Sequence, residues 1–253
     1  MHMDIKMSSD QILRDNHASV LKEYYARYLK DIRGLKRSSI LHYYDALNNI
    51  SRRLKDKGLV ENDIYEIMDF EYLQTIKDIL MTDPDFIEMN ERGRRMYSAG
   101  LNNYLRFVSG EGFGQAKGEI DKLDSPIMPD EPEIIEQNVW KRSNILRRQV
   151  IASANYMCEI DKTHESFIAE STGKPYMEGH HAIPMRLQPK FDCSLDIYAN
   201  IICLCPLCHR KIHLGRKAER KVMMLQLYAE RVDRLVKSGI HLSKEEFVNI
   251  SIH

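Results

Sequence analysis

The sequence contains no uninterrupted apolar run approaching the roughly 18 residues that a membrane-spanning helix needs, so no membrane association is expected. Its opening stretch, MHMDIKMSSD, lacks the apolar segment of a secretory signal, and the expectation is a cytoplasmic protein. Internal repeats and low-complexity tracts are absent. Net charge is absent too: 37 Lys and Arg balance 37 Asp and Glu, which taken alone argues against a nucleic-acid partner. Cysteine is sparse, at five residues, an odd number, and four of them fall between positions 193 and 208. Without a signal segment, that clustering points to metal ligation rather than disulfides. What is present is ordinary for a globular chain, with 43% hydrophobic and 29% charged residues over 253 positions. That length can bury one large core or two modest ones, and favours two domains.

The neutral total conceals blocks of one sign. Residues 14–57 carry eleven Lys/Arg against five Asp/Glu, and 209–237 carry nine against three. Between them, 61–88 has one against nine and 111–136 has two against eight. Such blocks can present a phosphate-binding face in a neutral chain, or can be solvated helix faces.

Residues 10–110 read as almost wholly helical. Leu21, Tyr24, Tyr25, Tyr28 and Leu29 recur at the three- and four-residue steps of an amphipathic helix, and such aromatics are expected in a core. After Gly34, Ser38 and Ser39 suit the N-cap of a second helix through Ile40, Tyr43, Leu47, Ile50 and Leu54, stopped by Gly58. Further helices are expected near 69–81, 84–89 and 91–109. Residues 111–136 mix Gly112, Gly114, Pro126, Pro129 and Pro132 with acidic residues, the composition of a linker. A basic helix with Lys141, Arg142, Arg147 and Arg148 is expected from Val139 to about Tyr156. Beyond it, short apolar runs stand among His, Cys, Gly and Pro; they cannot fill a large core, and a structural metal would help. An amphipathic basic helix over 216–237 and a short one near 243–250, capped by Ser243, follow.

The chemistry concentrates in two stretches: Tyr176-Met-Glu-Gly-His180-His181-Ala-Ile-Pro184 and Asn200-Ile-Ile-Cys203-Leu-Cys205-Pro-Leu-Cys208-His209-Arg-Lys-Ile-His213. Met177 to Ile183 has the length of a strand that Pro184 would end, and Asn200 to Leu204 reads as a second. Pro206 suits the opening turn of a helix carrying Cys208, His209 and His213. His209 and His213, four apart, share a helix face and can share one ion. Neighbouring strand residues point to opposite faces, so His180 and His181 divide the labour: one ligates, the other does acid–base work.

These residues resemble the HNH, or ββα-metal, nuclease family, and within it the McrA-type restriction nucleases and the colicin nuclease domains, over roughly 150–215. The resemblance implies that His181 is the general base and that His180, His209 and His213 hold one divalent cation. It also implies that Asn200 fixes the loop after His181. The expected fold is α+β, mostly α. An all-helical domain over 1–112 and an acidic Pro/Gly linker over 113–137 precede a small nuclease domain with flanking helices over 138–253. Three imidazoles favour Zn, Ni, Co or Mn over Mg; were His213 to point away, the site would be more open to Mg.

Many members of that family hold a structural zinc with two Cys-x-x-Cys knuckles. Here Cys205 and Cys208 form one, while the other reads Cys158-Glu-Ile-Asp161. His164 or Asp161 would complete the set, His164 being preferred because imidazole is the commoner partner of thiolates on zinc. The alternative is no zinc at all, with Cys158 and Cys205 simply buried. Cys203 is expected to be a buried apolar residue and Cys193 a loop thiol.

Residues 15–57 resemble the helical core-binding domain of tyrosine recombinases, which implies a DNA-binding role, dimerisation being the alternative. Arg210, Lys211, Arg147 and Arg148 are candidate phosphate contacts. The expected function is a restriction-type endonuclease on double-stranded DNA, acting as a homodimer. A homing, mobile-element or toxin nuclease would share its chemistry, and a non-catalytic zinc-stabilised DNA-binding module is the alternative of another class.

Overall fold

The computed structural model describes residues 19–111, 113, 119–129, 133–134, 138–139 and 142–252. The expected helical residues 10–18, with Gly112, Gly114, Pro132 and Lys141, lie outside the described residues. The architecture is α+β and mostly α, with two small antiparallel sheets of two strands each among the described residues.

Helix α1, Val20–Arg27, starts where the Ser19 hydroxyl accepts from the Lys22 amide, and it runs on as a π-turn over Tyr28–Ile32. Its five apolar positions Leu21, Tyr24, Tyr25, Tyr28 and Leu29 are all buried, so the tyrosines are core residues. Helix α2, Arg37–Asp56, begins one residue before the expected serine cap. Lys36 takes the capping position without a side-chain bond, which leaves Ser38 and Ser39 inside the first turn. Helices α3, Phe70–Thr82, and α4, Pro84–Arg92, share a junction at Asp83, whose carboxylate caps α4 and pairs with Arg53 and Lys57. The helix expected over 91–109 is interrupted. Arg94 and Arg95 adopt positive φ angles of 52° and 63°, so α5 runs only over Met96–Val108. Helix α5 lies against α2 at Gly100, where an added Cβ would stand 2.7 Å from that of Ala46.

Within the acidic 111–136 stretch, Ile120–Leu123 forms a 3₁₀ turn, and Phe113, Ile120, Leu123 and Ile127 are buried. Strands β1, Glu133–Ile134, and β2, Asn138–Val139, pair with Glu133 opposite Val139. Val139 therefore belongs to a strand and not to the basic helix expected there. That helix, α6, Asn144–Ser153, starts after Ser143, whose hydroxyl accepts from the Leu146 amide and so satisfies one free donor of the first turn. Strands β3, Glu178–His181, and β4, Ile201–Leu204, follow, each shorter than its apolar run suggested. Helices α7, Pro206–Leu214, α8, Lys217–Lys237, and α9, Lys244–Ile252, follow β4; Ser243 caps α9 through its bond with the Glu246 amide.

The buried apolar residues from Val20 to Ile252 form one continuous cluster. The Tyr24 and Tyr198 rings pack at a tilt of 33° with centroids 4.0 Å apart, and the Tyr198 amide donates to the Tyr24 hydroxyl. The Tyr198 hydroxyl donates to Gln149 on α6, which in turn donates to the Phe107 carbonyl on α5. Front helices and sheet are thus joined just before Asn200.

Candidate metal and catalytic centre

Antiparallel pairing of β3 and β4 sets His180 opposite Ile202 and His181 opposite Ile201. Alternation along β3 sends Glu178 and His180 to one side and Gly179 and His181 to the other. Helix α7 faces the first side. Cys205 is its N-cap, accepting from the Cys208 amide, and Pro206 fills the first position, where a missing N–H costs nothing. His209 and His213 project from one face of α7 to meet His180, with ring centroids 4.8 to 5.0 Å apart. One ligand nitrogen of each lies within 4.8 Å of the others. His213 stands with the other two rings, so the two-ligand arrangement is not the one formed.

The ring orientation is set from behind. His209 Nδ1 bonds the Glu178 carboxylate, which can only accept, so Nδ1 carries the hydrogen and Nε2 turns its lone pair inward, 3.2 Å from His213 Nε2. Burial, then the charges of His209 and His213, pushes His180 down to about 3. Burial and His209 lower His213 as well. Neutral imidazoles with converging lone pairs are the form that ligates a metal, and this donor set fits a divalent transition cation.

A second group lies at the other end of β4. Cys158, His164, Cys205 and Cys208 each place a ligand atom within 4.8 Å of the others. His164 Nδ1 is 3.6 Å from Cys205 Sγ and 3.3 Å from Cys208 Sγ. Asp161 is not one of the four. One of its oxygens lies 3.5 Å from His164 Nε2, behind the ring, and the other accepts from the Thr163 amide and hydroxyl. Burial raises the Cys208 thiol, and the Cys158 and Cys205 sulfurs add to the rise. Burial opposes ionisation of Cys158 too, but the backbone amides of Cys205, Asp161 and Ile160 and the His164 ring outweigh it and lower that thiol. Crowded sulfurs that resist joint ionisation are stabilised as thiolates by a dication, so this Cys₃His group fits a metal ion. All five cysteines are free thiols; Cys203 is buried on β4 and Cys193 is buried in a loop.

On the opposite face of β3, His181 Nε2 lies 2.7 Å from Asp196 Oδ1, and both side chains are 9% exposed. Asp196 Oδ2 accepts from the Ser143 amide at 2.7 Å. Asn200 is fully buried. Its Oδ1 accepts from the Ile183 amide at 2.7 Å, and its Nδ2 donates to the Ile183 and Leu195 carbonyls at 2.9 Å each. Asn200 thereby ties the loop after His181 to the segment before Asp196.

The candidate phosphate contacts diverge. Arg210 and Lys211 are exposed on α7, Lys211 pairing with Glu219. Arg148 pairs with Glu71 and lies over the Phe70 ring. Arg147 runs along β3 at Gly179, where an added Cβ would come 2.7 Å from its Cγ, and its Nε is buried. Sequence reasoning missed Glu178, Asp196 and Glu159. Strand alternation from His180 would have found Glu178. The carboxylate of Glu159, which accepts from the Cys203 amide and pairs with Arg231, has no local signature, and neither has Asp196.

No family model matches the chain. Over 98 residues it is 28% identical to the type IV methyl-directed restriction enzyme EcoKMcrA of Escherichia coli (strain K12). The match takes in 39% of this chain, which spans 33% of that enzyme's length. Similarity to a restriction enzyme thus accompanies two clusters of side chains of the types that ligate metals.

Proposed function

We propose that this chain is a metal-dependent HNH-type endonuclease that cuts double-stranded DNA in a restriction system, with His181 as general base. The observation that carries this proposal is the split of two adjacent histidines: His180 joins His209 and His213, while His181 turns away and engages Asp196. A purely structural metal site has no use for His181. A divalent cation held by His180, His209 and His213 would neutralise charge on the phosphoryl oxygens and on the departing 3′ oxygen. His181 takes the proton of the water that attacks phosphorus; the new P–O bond forms as the bond to the 3′ oxygen breaks. Imidazole ligands suit Zn, Ni, Co or Mn better than Mg.

Zinc at Cys158, His164, Cys205 and Cys208 would hold the base of α7. Arg210 and Lys211 suit backbone phosphates; Arg147 and Arg148 are turned to internal neighbours. One such site cuts one strand, so a double-strand break calls for a homodimer or successive nicks. The relative's methyl-directed character makes methylated DNA the first substrate to try.

The test is plasmid cleavage with Mg, Mn, Co, Ni or Zn, with and without modified cytosine. His181→Ala is expected to keep metal and DNA binding and to lose at least about 100-fold in cutting rate. Equal cutting by variant and parent removes the enzyme assignment.

A further inference from the structure

We propose that Asp196 is a positioning residue that holds the His181 ring in the one tautomer able to act as a base, an inference that rests on the nuclease proposal above. Asp196 Oδ1 lies 2.7 Å from His181 Nε2. A carboxylate offers only lone pairs, so Nε2 must carry the hydrogen and Nδ1 keeps the lone pair that accepts a proton from water. The carboxylate cannot swing away. Its second oxygen accepts from the Ser143 amide at 2.7 Å, and its own backbone amide donates to the Ser194 hydroxyl at 3.1 Å. Asn200 fastens both partners at once, through Ile183 two residues after His181 and Leu195 one residue before Asp196. The imidazolium formed on proton transfer then stays beside a fixed negative charge, and no metal ligand takes part.

A merely structural role, capping the start of α6 through Ser143, predicts something different, and Asp196→Asn separates the two. Its one amide oxygen takes the place of Oδ2 and accepts from the Ser143 amide, so its amide N–H₂ now faces His181. Nε2 must then accept, the hydrogen moves to Nδ1, and Nδ1 no longer has a lone pair with which to take a proton. The experiment combines ¹⁵N NMR of the His181 ring in the metal-free full-length protein, assigned with His181→Ala, with cleavage kinetics of the metal-loaded protein.

The expected result is an Nε2–H ring in the parent and an Nδ1–H ring in Asp196→Asn, with kcat at least about 100-fold lower and KM within about twofold. Asp196→Glu, which restores a carboxylate, is expected to return the Nε2–H ring. It serves as the second variant should the Asn form fail to fold. The same ring tautomer in parent and Asp196→Asn, or cutting by that variant at the parental rate, overturns the inference. A parent that binds DNA and never cuts it sinks the nuclease proposal instead, and the ring tautomer still decides what Asp196 does.

Discussion

Asn200→Ala removes an amide that makes three side-chain hydrogen bonds at a fully buried position. The alanine cannot accept from the Ile183 amide or donate to the Ile183 and Leu195 carbonyls, which lose those partners. An unsatisfied buried polar group costs roughly 1–3 kcal/mol, so three of them taken at the lower bound amount to about 3 kcal/mol. Asn200→Asp is the sharper probe. It has the same shape and leaves no cavity, and it still accepts from Ile183, yet it aims an oxygen at two carbonyl oxygens. The Asp variant is expected to lose at least as much stability as the Ala variant, because its second oxygen is buried against two carbonyl oxygens and has no donor. Urea titration followed by circular dichroism measures both, with metal content checked in parallel because the His180 group lies on the other face of β3. An Asp variant within about 0.5 kcal/mol of the parent would refute the hydrogen-bond account.

Two further outcomes follow from the metal groups. Cys208→Ser is expected to abolish zinc retention. The loss of a cation held about a thousandfold above its Kd is worth about 4 kcal/mol, so the melting temperature should fall, and a chelator should lower the parent toward the variant while leaving the variant unchanged. His180 is depressed to about 3 by burial and by His209 and His213. The folded value lies below the ordinary 6.5, so the unfolded chain binds more protons between those limits and the metal-free protein loses stability as pH falls through that window. His180→Asn should flatten the decline in urea midpoint between pH 7 and pH 5.

The sequence made the clustering of His180, His209 and His213 legible because these residues obey local periodicities. His209 and His213 are one helical turn apart, and His180 and His181 alternate on a strand, so faces follow from spacing alone. The Cys205–Cys208 knuckle was visible for the same reason. Helix termini were less legible: Arg94 and Arg95 carry no side-chain sign of their positive φ, and Val139 joins a strand pair through backbone bonds that no pattern announces. Asp196 was invisible because its partners, His181 and the Ser143 amide, are 15 and 53 residues away. The choice between Asp161 and His164 also waited on three dimensions, since both lie near Cys158 in sequence and only the path of the turn brings His164 Nδ1 to the sulfurs.

Strand β4 spans only Ile201–Leu204, yet it begins beside Asn200 and ends beside Cys205. Four residues therefore form a rigid ruler between the Asn200 clamp on the loop after His181 and the thiol group at the foot of α7. A slip of one residue against β3 would exchange the two histidines between faces, taking His180 from His209 and His213 and His181 from Asp196. Anchoring both ends of so short a segment couples them: the packing around the sulfurs at one end and the Asn200 bonds at the other hold the neighbouring histidine pair in one register.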